Sequence, residues 1–279
     1  MGVTGKDGRA WQLAGYGFLV LNSLIALYPV FIMVMSGFKT LPEIMFAPLA
    51  LPKSWSLANY AQVWYQAGFN VYFKNSLLVS ILAVATILST GSIAAYVLGR
   101  YRFRGNTLIY SFFLVGLTLP IKLGILPLFM LIRSLHLFDT LGALVLIYTA
   151  IEIPFAVFIL TGFFRSLPVE LEEAARLDGC GDFAIFYRIM LPLVRPALAT
   201  VGIFAFDVVW NDFFFPLIFL RSDGLKTLPL GLTVFFGEYQ TNWSMLFAGL
   251  TLSTIPLIIV FLFASKQFIG GLTAGAVKG

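Results

Sequence analysis

Residues 165–192 read RSLPVELEEAARLDGCGDFAIFYRIMLP, the most charged stretch of the chain. Apolar stretches long enough to cross a bilayer flank it on both sides, so its reading decides what kind of membrane protein this is. Pro168 suits a first helical turn, where its missing N–H has no partner to lose. Glu170, Glu172 and Glu173 then sit near the positive end of the helix dipole, and Arg176 lies nearer the negative end. Gly179 permits the left-handed residue that stops a helix. Asp182 is placed to cap a second short helix carrying Phe183, Phe186 and Tyr187. Pro192 ends that helix, and Pro196 introduces the next apolar stretch. The expected result is a compact helix–turn–helix projecting from the membrane. Ala174 and Ala175 keep one face small enough for another backbone to approach. The exposed aromatics of the second helix suit a partner's groove.

Working outward, 59% of the 279 residues are hydrophobic and 11% are charged. Soluble domains carry roughly 45–50% apolar and about 25% charged residues, so a soluble enzyme and a disordered chain are both excluded. Apolar stretches at 15–38, 75–99, 107–131, 141–163, 198–220 and 243–265 are each long enough to cross a hydrocarbon core of about 30 Å as a helix. Period-two alternation is absent, which argues against an outer-membrane barrel. The expected fold is an all-α polytopic membrane protein with six transmembrane helices. Lys6 and Arg9 precede the first stretch as in a signal peptide. Its apolar run exceeds the roughly 7–15 residues of a signal core and no A-x-A site comes after it, so it reads as an uncleaved first helix.

Placing the N-terminus in the cytoplasm puts eleven of the 18 Lys and Arg in cytoplasmic segments and six outside. The cluster Arg100, Arg102 and Arg104 flanks a span directly, and the imbalance favours both termini inside. This divides the chain into a cytoplasmic N-terminus (1–14), a membrane domain (15–265) with its loop at 165–196, and a cytoplasmic tail (266–279). Gly270, Gly271 and Gly275 argue for an extended or irregular tail. In the outer segment 39–74, Ser56 is placed to cap a helix whose Leu57, Tyr60, Ala61 and Trp64 form a stripe suited to the membrane surface.

Four ionisable residues lie within the apolar stretches: Lys122 in the third, Glu152 in the fourth, Asp207 and Asp212 in the fifth. Each costs about 2.5–3.5 kcal/mol at a helix centre on insertion scales, so each needs a reason. Asp207, Trp210, Asn211 and Phe214 recur at helical spacing on one face. A carboxylate, an amide and an indole suit a polyhydroxylated solute, and they suit helix packing equally. Glu152, Asp207, Trp210 and Asn211 are therefore the pathway candidates. Lys122 and Asp212 lie at similar depth and are expected to form a structural ion pair. Pro120, Pro127 and Pro154 suggest kinks.

There is no G-x-x-x-x-G-K-[ST] phosphate loop, no Ser/His/Asp constellation and no metal cluster. Cys180 is the sole cysteine and His136 reads as a surface residue. No catalytic residue, no resident cofactor and no nucleic-acid partner is expected, which argues against a membrane enzyme. An ion-driven transporter using Glu152 or Asp207 remains open on these residues alone.

The spacing Glu173-Ala174-Ala175, Gly179, Ile189, Leu191 and Pro192 resembles the EAA motif of ABC importer permeases, EAA-x3-G-x9-I-x-L-P. Trp210-Asn211-Asp212-Phe213 resembles a segment of the carbohydrate branch. Residues 271–279 resemble the tail of the smaller permease subunit of maltose-type importers. The resemblance implies a type I ABC importer permease in the bacterial cytoplasmic (inner) membrane, carrying a sugar or sugar derivative by alternating access. It implies that the loop is a coupling helix seated on an ATPase subunit, with Glu173, Ala174, Ala175, Asp178, Gly179, Phe183, Phe186, Ile189, Leu191 and Pro192 forming the contact. It also implies a tail that enters the ATPase dimer interface. The partners implied are a homologous second permease, two ATP-binding subunits as a homodimer that hold ATP and Mg, an external solute-binding protein, and the lipid bilayer.

Overall fold

The computed structural model describes residues 6–237 and 241–276. It is built of helices; among the described residues the one strand-like pairing is an isolated bridge between Phe236 and Thr241. The principal helices are α1 (Lys6–Ser36), α2 (Phe69–Arg100), α3 (Asn106–Thr118), α4 (Ile121–Ser134), α5 (Leu141–Ser166), α6 (Glu170–Leu177), α7 (Asp182–Leu193), α8 (Arg195–Asn211), α9 (Phe214–Phe219) and α10 (Trp243–Ala276). Four of them, α1, α2, α5 and α10, are long and apolar enough to cross a membrane. The pairs α3–α4 and α7–α8, bent by 88° and 76°, bring the number to as many as six.

Two of the expected spans are not continuous helices. The stretch at 107–131 breaks at Leu119, whose backbone is extended, because Pro120 disfavours the helical region for the residue before it. Pro127 and Pro154, by contrast, sit inside helices. The stretch at 198–220 breaks at Asp212, also extended. The Asp212 carboxylate accepts the backbone N–H of Phe215 at 2.9 Å and that of Phe214 at 3.4 Å, so it starts α9 afresh. A short acidic side chain that bonds its own backbone competes with helix continuation.

The chain divides into two compact units. In the unit of residues 70–231 and 255–279, α2 and α5 lie side by side. A Cβ at Gly91 would fall 2.7 Å from Ala156 Cβ, and one at Gly99 would fall 3.2 Å from Phe164 Cβ. Both pairs advance by the same interval along each helix, so the two run parallel and glycine lets them approach closely. Ile87, Leu144, Leu160, Ile185 and Val201 belong to one buried apolar cluster around them.

In the unit of residues 1–69 and 232–254, the expected surface helix is only Ala58–Ala61, continued by a π turn over Gln62–Gln66. Tyr60 donates to the Val34 carbonyl at 3.2 Å and packs on Phe38, while Asn59 donates to the carbonyls of Gly37 and Lys39. These contacts fix the segment to the end of α1. Lys39 is buried, with its ammonium on the carbonyls of Ala47 and Pro48 at the end of helix Leu41–Phe46.

The tail departs from expectation. α10 stays helical to Ala276, through Gly270, Gly271 and Gly275. Each glycine costs about 1 kcal/mol relative to alanine, but extending an existing helix avoids the nucleation cost. Residues 277–279 of the expected tail lie outside the described residues.

Candidate functional site

The loop between α5 and α8 folds as two short helices around a tight turn. The acidic first turn of α6 holds Glu170, Glu172 and Glu173, and Arg176 lies in its last turn. Pro168 stands just before the helix, whose N-cap is Val169. Gly179 has φ +81°. Around it Cys180 N–H donates to the Ala175 carbonyl at 2.9 Å and Gly179 N–H to the Arg176 carbonyl at 3.0 Å. This pair of bonds is a Schellman stop, and it needs the left-handed residue that glycine supplies without strain. A Cβ at Gly179 would meet nothing within 4 Å, so the requirement there is one of backbone conformation alone.

α7 differs from expectation in two respects. Asp182 does not cap it; Gly181 is the N-cap, and Asp182 accepts from Arg176 Nη2 at 3.1 Å across the turn. Pro192 does not end it either. The backbone widens into a π turn over Phe186–Met190, with Leu191 N–H on the Phe186 carbonyl, and remains helical to Leu193. A proline clashes with the carbonyl four residues back, and a widened turn relieves that clash. The bend comes at Val194, before Pro196 in the first turn of α8.

The motif residues divide between two faces. Glu173, Ala174, Asp178 and Gly179 are exposed. Phe183 and Tyr187 are 78% and 62% exposed, with parallel rings 6.3 Å apart. Phe186, expected on that aromatic face, is 8% exposed and lies against Tyr96 and Phe164. Ala175 is likewise buried in the core, and Ile189, Leu191 and Pro192 are half-buried. The reason is helical geometry: Phe186 comes three positions after Phe183 and Tyr187 four, and consecutive residues point about 100° apart, so Tyr187 lies beside Phe183 while Phe186 turns inward.

By sequence the three glutamates of α6 look alike and Arg100 reads as a topology signal. Glu172 is in fact buried and paired with Arg100, Nε to Oε1 at 3.1 Å. Glu172 is one turn from Ala175 and shares its face, but that this face is the inward one comes from the structure, not from the sequence.

The polar residues of the apolar stretches are also redistributed. Lys122 and Asp212 form no ion pair. Asp212 takes the Tyr148 hydroxyl at 2.8 Å besides its two backbone donors, and Lys122 places its ammonium 5.2 Å from the centre of the Phe214 ring. The expectation assumed an unbroken helix; once the backbone breaks, the freed N–H groups claim the carboxylate first. Trp210 is 2% exposed, stacked on Phe206 and edge-on to Phe73, so it belongs to the packing. Asp207 and Asn211 are exposed and joined, Asn211 Nδ2 to Asp207 Oδ1 at 2.8 Å. Glu152 is half-buried on α5.

Beyond this geometry, residues 87–269 match the family described as "Binding-protein-dependent transport system inner membrane component". The chain belongs to this family. The permease is 40% identical over 280 residues to the probable ABC transporter permease protein YurM of Bacillus subtilis (strain 168), covering 99% of this chain and 93% of that one. It is 38% identical over 268 residues to the arabinooligosaccharides transport system permease protein AraQ of the same organism, covering 94% of each chain. In fold, the permease resembles a chain from the crystal structure of a bacterial ABC transporter involved in the import of the acidic polysaccharide alginate. The TM-score is 0.83 at 23% identity, over 96% of this chain and 100% of that one. The permease is thus an integral membrane protein, and α6, α7 and the broken stretches are parts of a permease fold.

Proposed function

We propose that the permease is one of two membrane subunits of an ATP-driven importer that carries a sugar or sugar derivative into the cytoplasm by alternating access. The chain crosses the bacterial inner membrane six times with both termini inside, the two bent pairs accounting for two crossings. Its bounds are then 15–265 for the membrane domain and 266–279 for the cytoplasmic tail. The relative named for arabinooligosaccharides and the structure named for alginate import support a carbohydrate cargo. Family membership supports this reading over an ion-driven or enzymatic one.

The observation that carries the docking role is the loop itself. Glu173, Asp178, Gly179, Phe183 and Tyr187 form an exposed rim on a backbone fixed by the Schellman stop and the buried side of α6. An element rigid within itself transmits displacement, whereas a slack one dissipates it. A separate ATPase homodimer holds ATP and Mg and receives this rim, together with the Ile189, Leu191 and Pro192 segment that sets its angle. A homologous permease completes the pore, and an external binding protein delivers the solute. Asp207 and Asn211, as an exposed acceptor–donor pair, and Glu152 line the pathway.

Glu173→Lys tests this reading. The expected result is normal insertion with retention of the ATPase subunits reduced roughly tenfold or more, the scale of losing one charge-assisted hydrogen bond. Unchanged retention and unchanged transport would remove the docking assignment.

A further inference from the structure

Arg100, the last residue of α2, joins three elements with one side chain that is 5% exposed. Its Nε donates to Glu172 Oε1 of α6. Its Nη1 donates to the carbonyls of Phe164 at 3.2 Å and Leu167 at 2.8 Å, and its Nη2 to that of Pro168 at 3.3 Å. Those carbonyls close α5 and lead into α6, where a helix end leaves acceptors without donors of its own. Arg165 reciprocates from the last turn of α5: its Nη2 donates to the Leu98 carbonyl of α2 at 3.3 Å, and its guanidinium lies over the Tyr110 ring. Each of these parallel helices is therefore capped by an arginine of the other. Tyr96, one turn before Arg100, packs on Phe164 and Phe186 and so brings α7 to the same junction.

The apolar hold on α6 is slight. Of its eight residues only Glu172 and Ala175 are buried. A helix this short does not stabilise itself, and one alanine does not fix its direction. The planar fork of an arginine does fix direction, and a buried ion pair acts more through geometry than through net stability.

We propose that Arg100 is a positioning residue for coupling: with Glu172 it locks α6 to the ends of α2 and α5, so that the three move as one body when the ATPase shifts the docking rim. This rests on the docking reading above. Lysine cannot substitute, since a point charge on a flexible stem cannot span three carbonyls and a carboxylate.

The test uses the assembled complex, permease pair with ATPase subunits, in a Cys180→Ser, Phe213→Cys background. Phe213 lies in the break between α8 and α9, and its labelling by a membrane-impermeant maleimide is compared without nucleotide and after trapping with ATP and vanadate. The variants are Glu172→Gln and the pair Arg100→Met with Glu172→Met, which replaces the ion pair by apolar side chains of similar reach. The expected result is retained ATPase subunits and loss of the nucleotide response. Backbone amides 170–177 should also exchange about tenfold faster, the scale of one charge-assisted hydrogen bond lost. Arg100→Lys should assemble and still fail to respond. A full response in the assembled methionine pair would overturn the proposal. Failure of that pair to assemble would assign Arg100 to folding alone and overturn it equally. A reference protein whose labelling ignores ATP would instead reject the alternating-access reading, and this proposal with it.

Discussion

The two ends of α5 do the same job by opposite means. At its start, Thr140 caps the helix and Asp139 fastens the preceding corner to residues 221 and 222. The Asp139 carboxylate accepts the backbone N–H groups of Arg221 and Ser222 at 2.8 and 3.0 Å and the Ser222 hydroxyl at 2.5 Å. Asp139 N–H donates back to the Phe219 carbonyl. The three bonds to the Asp139 carboxylate are exposed and within reach of water. At its other end the joint is ionic and largely enclosed: the Arg100 and Glu172 side chains are both nearly inaccessible, and the remaining acceptors are carbonyls. The difference lies in the fallback. A bond lost at the Asp139 corner is replaced by water, while a partner lost at the Arg100 joint leaves a charge that water cannot reach.

That contrast can be broken most directly at Arg100. Arg100→Met alone should destabilise the permease by about 3–5 kcal/mol, because Glu172 is left buried and unpaired. Thermal retention of the detergent-solubilised chain measures this, and adding Glu172→Met should recover most of the loss. A single variant as stable as the parent would show that water enters the joint. Tyr148, 2% exposed and between the two ends, comes next. Tyr148→Phe removes one hydrogen bond to the Asp212 carboxylate and should cost about 1.5–3 kcal/mol in the same assay.

Gly179 separates backbone strain from burial, since open space surrounds it. Gly179→Val should cost about 1–2 kcal/mol through the left-handed backbone alone, and Gly179→Asn far less. Equal losses from both would point to a missed contact. The smallest effect belongs to Asp139. The Ser222 hydroxyl and N–H, then the Arg221 N–H, hold its carboxyl below the ordinary aspartate range. A lowered folded value means that its stabilisation is present above the ordinary value near pH 4 and is lost as pH falls through the lowered one. Asp139→Asn should therefore lower stability slightly at neutral pH, converge with the parent at low pH, and so flatten the acid limb of a stability–pH profile. A profile that still steepens below about pH 4 in the variant would assign the acid sensitivity elsewhere.

Legibility in the sequence tracked the range of each interaction. Gly179, the acid–base polarity of α6 and Pro196 were legible because each acts within a turn or two of chain. Phe186 was misassigned because helical spacing places it near Phe183 and Tyr187 without showing which side of that group meets the core. Trp210 was misassigned because helical spacing gives a shared face but not what that face meets. Lys122 and Asp212 were paired on equal depth, a measure that fails once the helix carrying Asp212 breaks and its own N–H groups compete. Arg100 was counted as a topology charge, since nothing local reveals that three carbonyls and a carboxylate converge on it.

The sequence by itself determined that this chain is a helical membrane protein, where its apolar stretches lie, and that a helix–turn–helix stands between the fourth and fifth. Those outcomes rest on hydrophobic length and on local backbone preference, both written in consecutive residues. Only the tertiary structure decided which of the three glutamates of α6 faces inward, which aromatics stay outside, and which donors claim each buried carboxylate. These depend on competition among groups far apart in the chain, Arg100 with Glu172 and Tyr148 with Asp212. A buried charge takes the partner that packing brings within hydrogen-bond distance, and consecutive residues do not encode those distances locally.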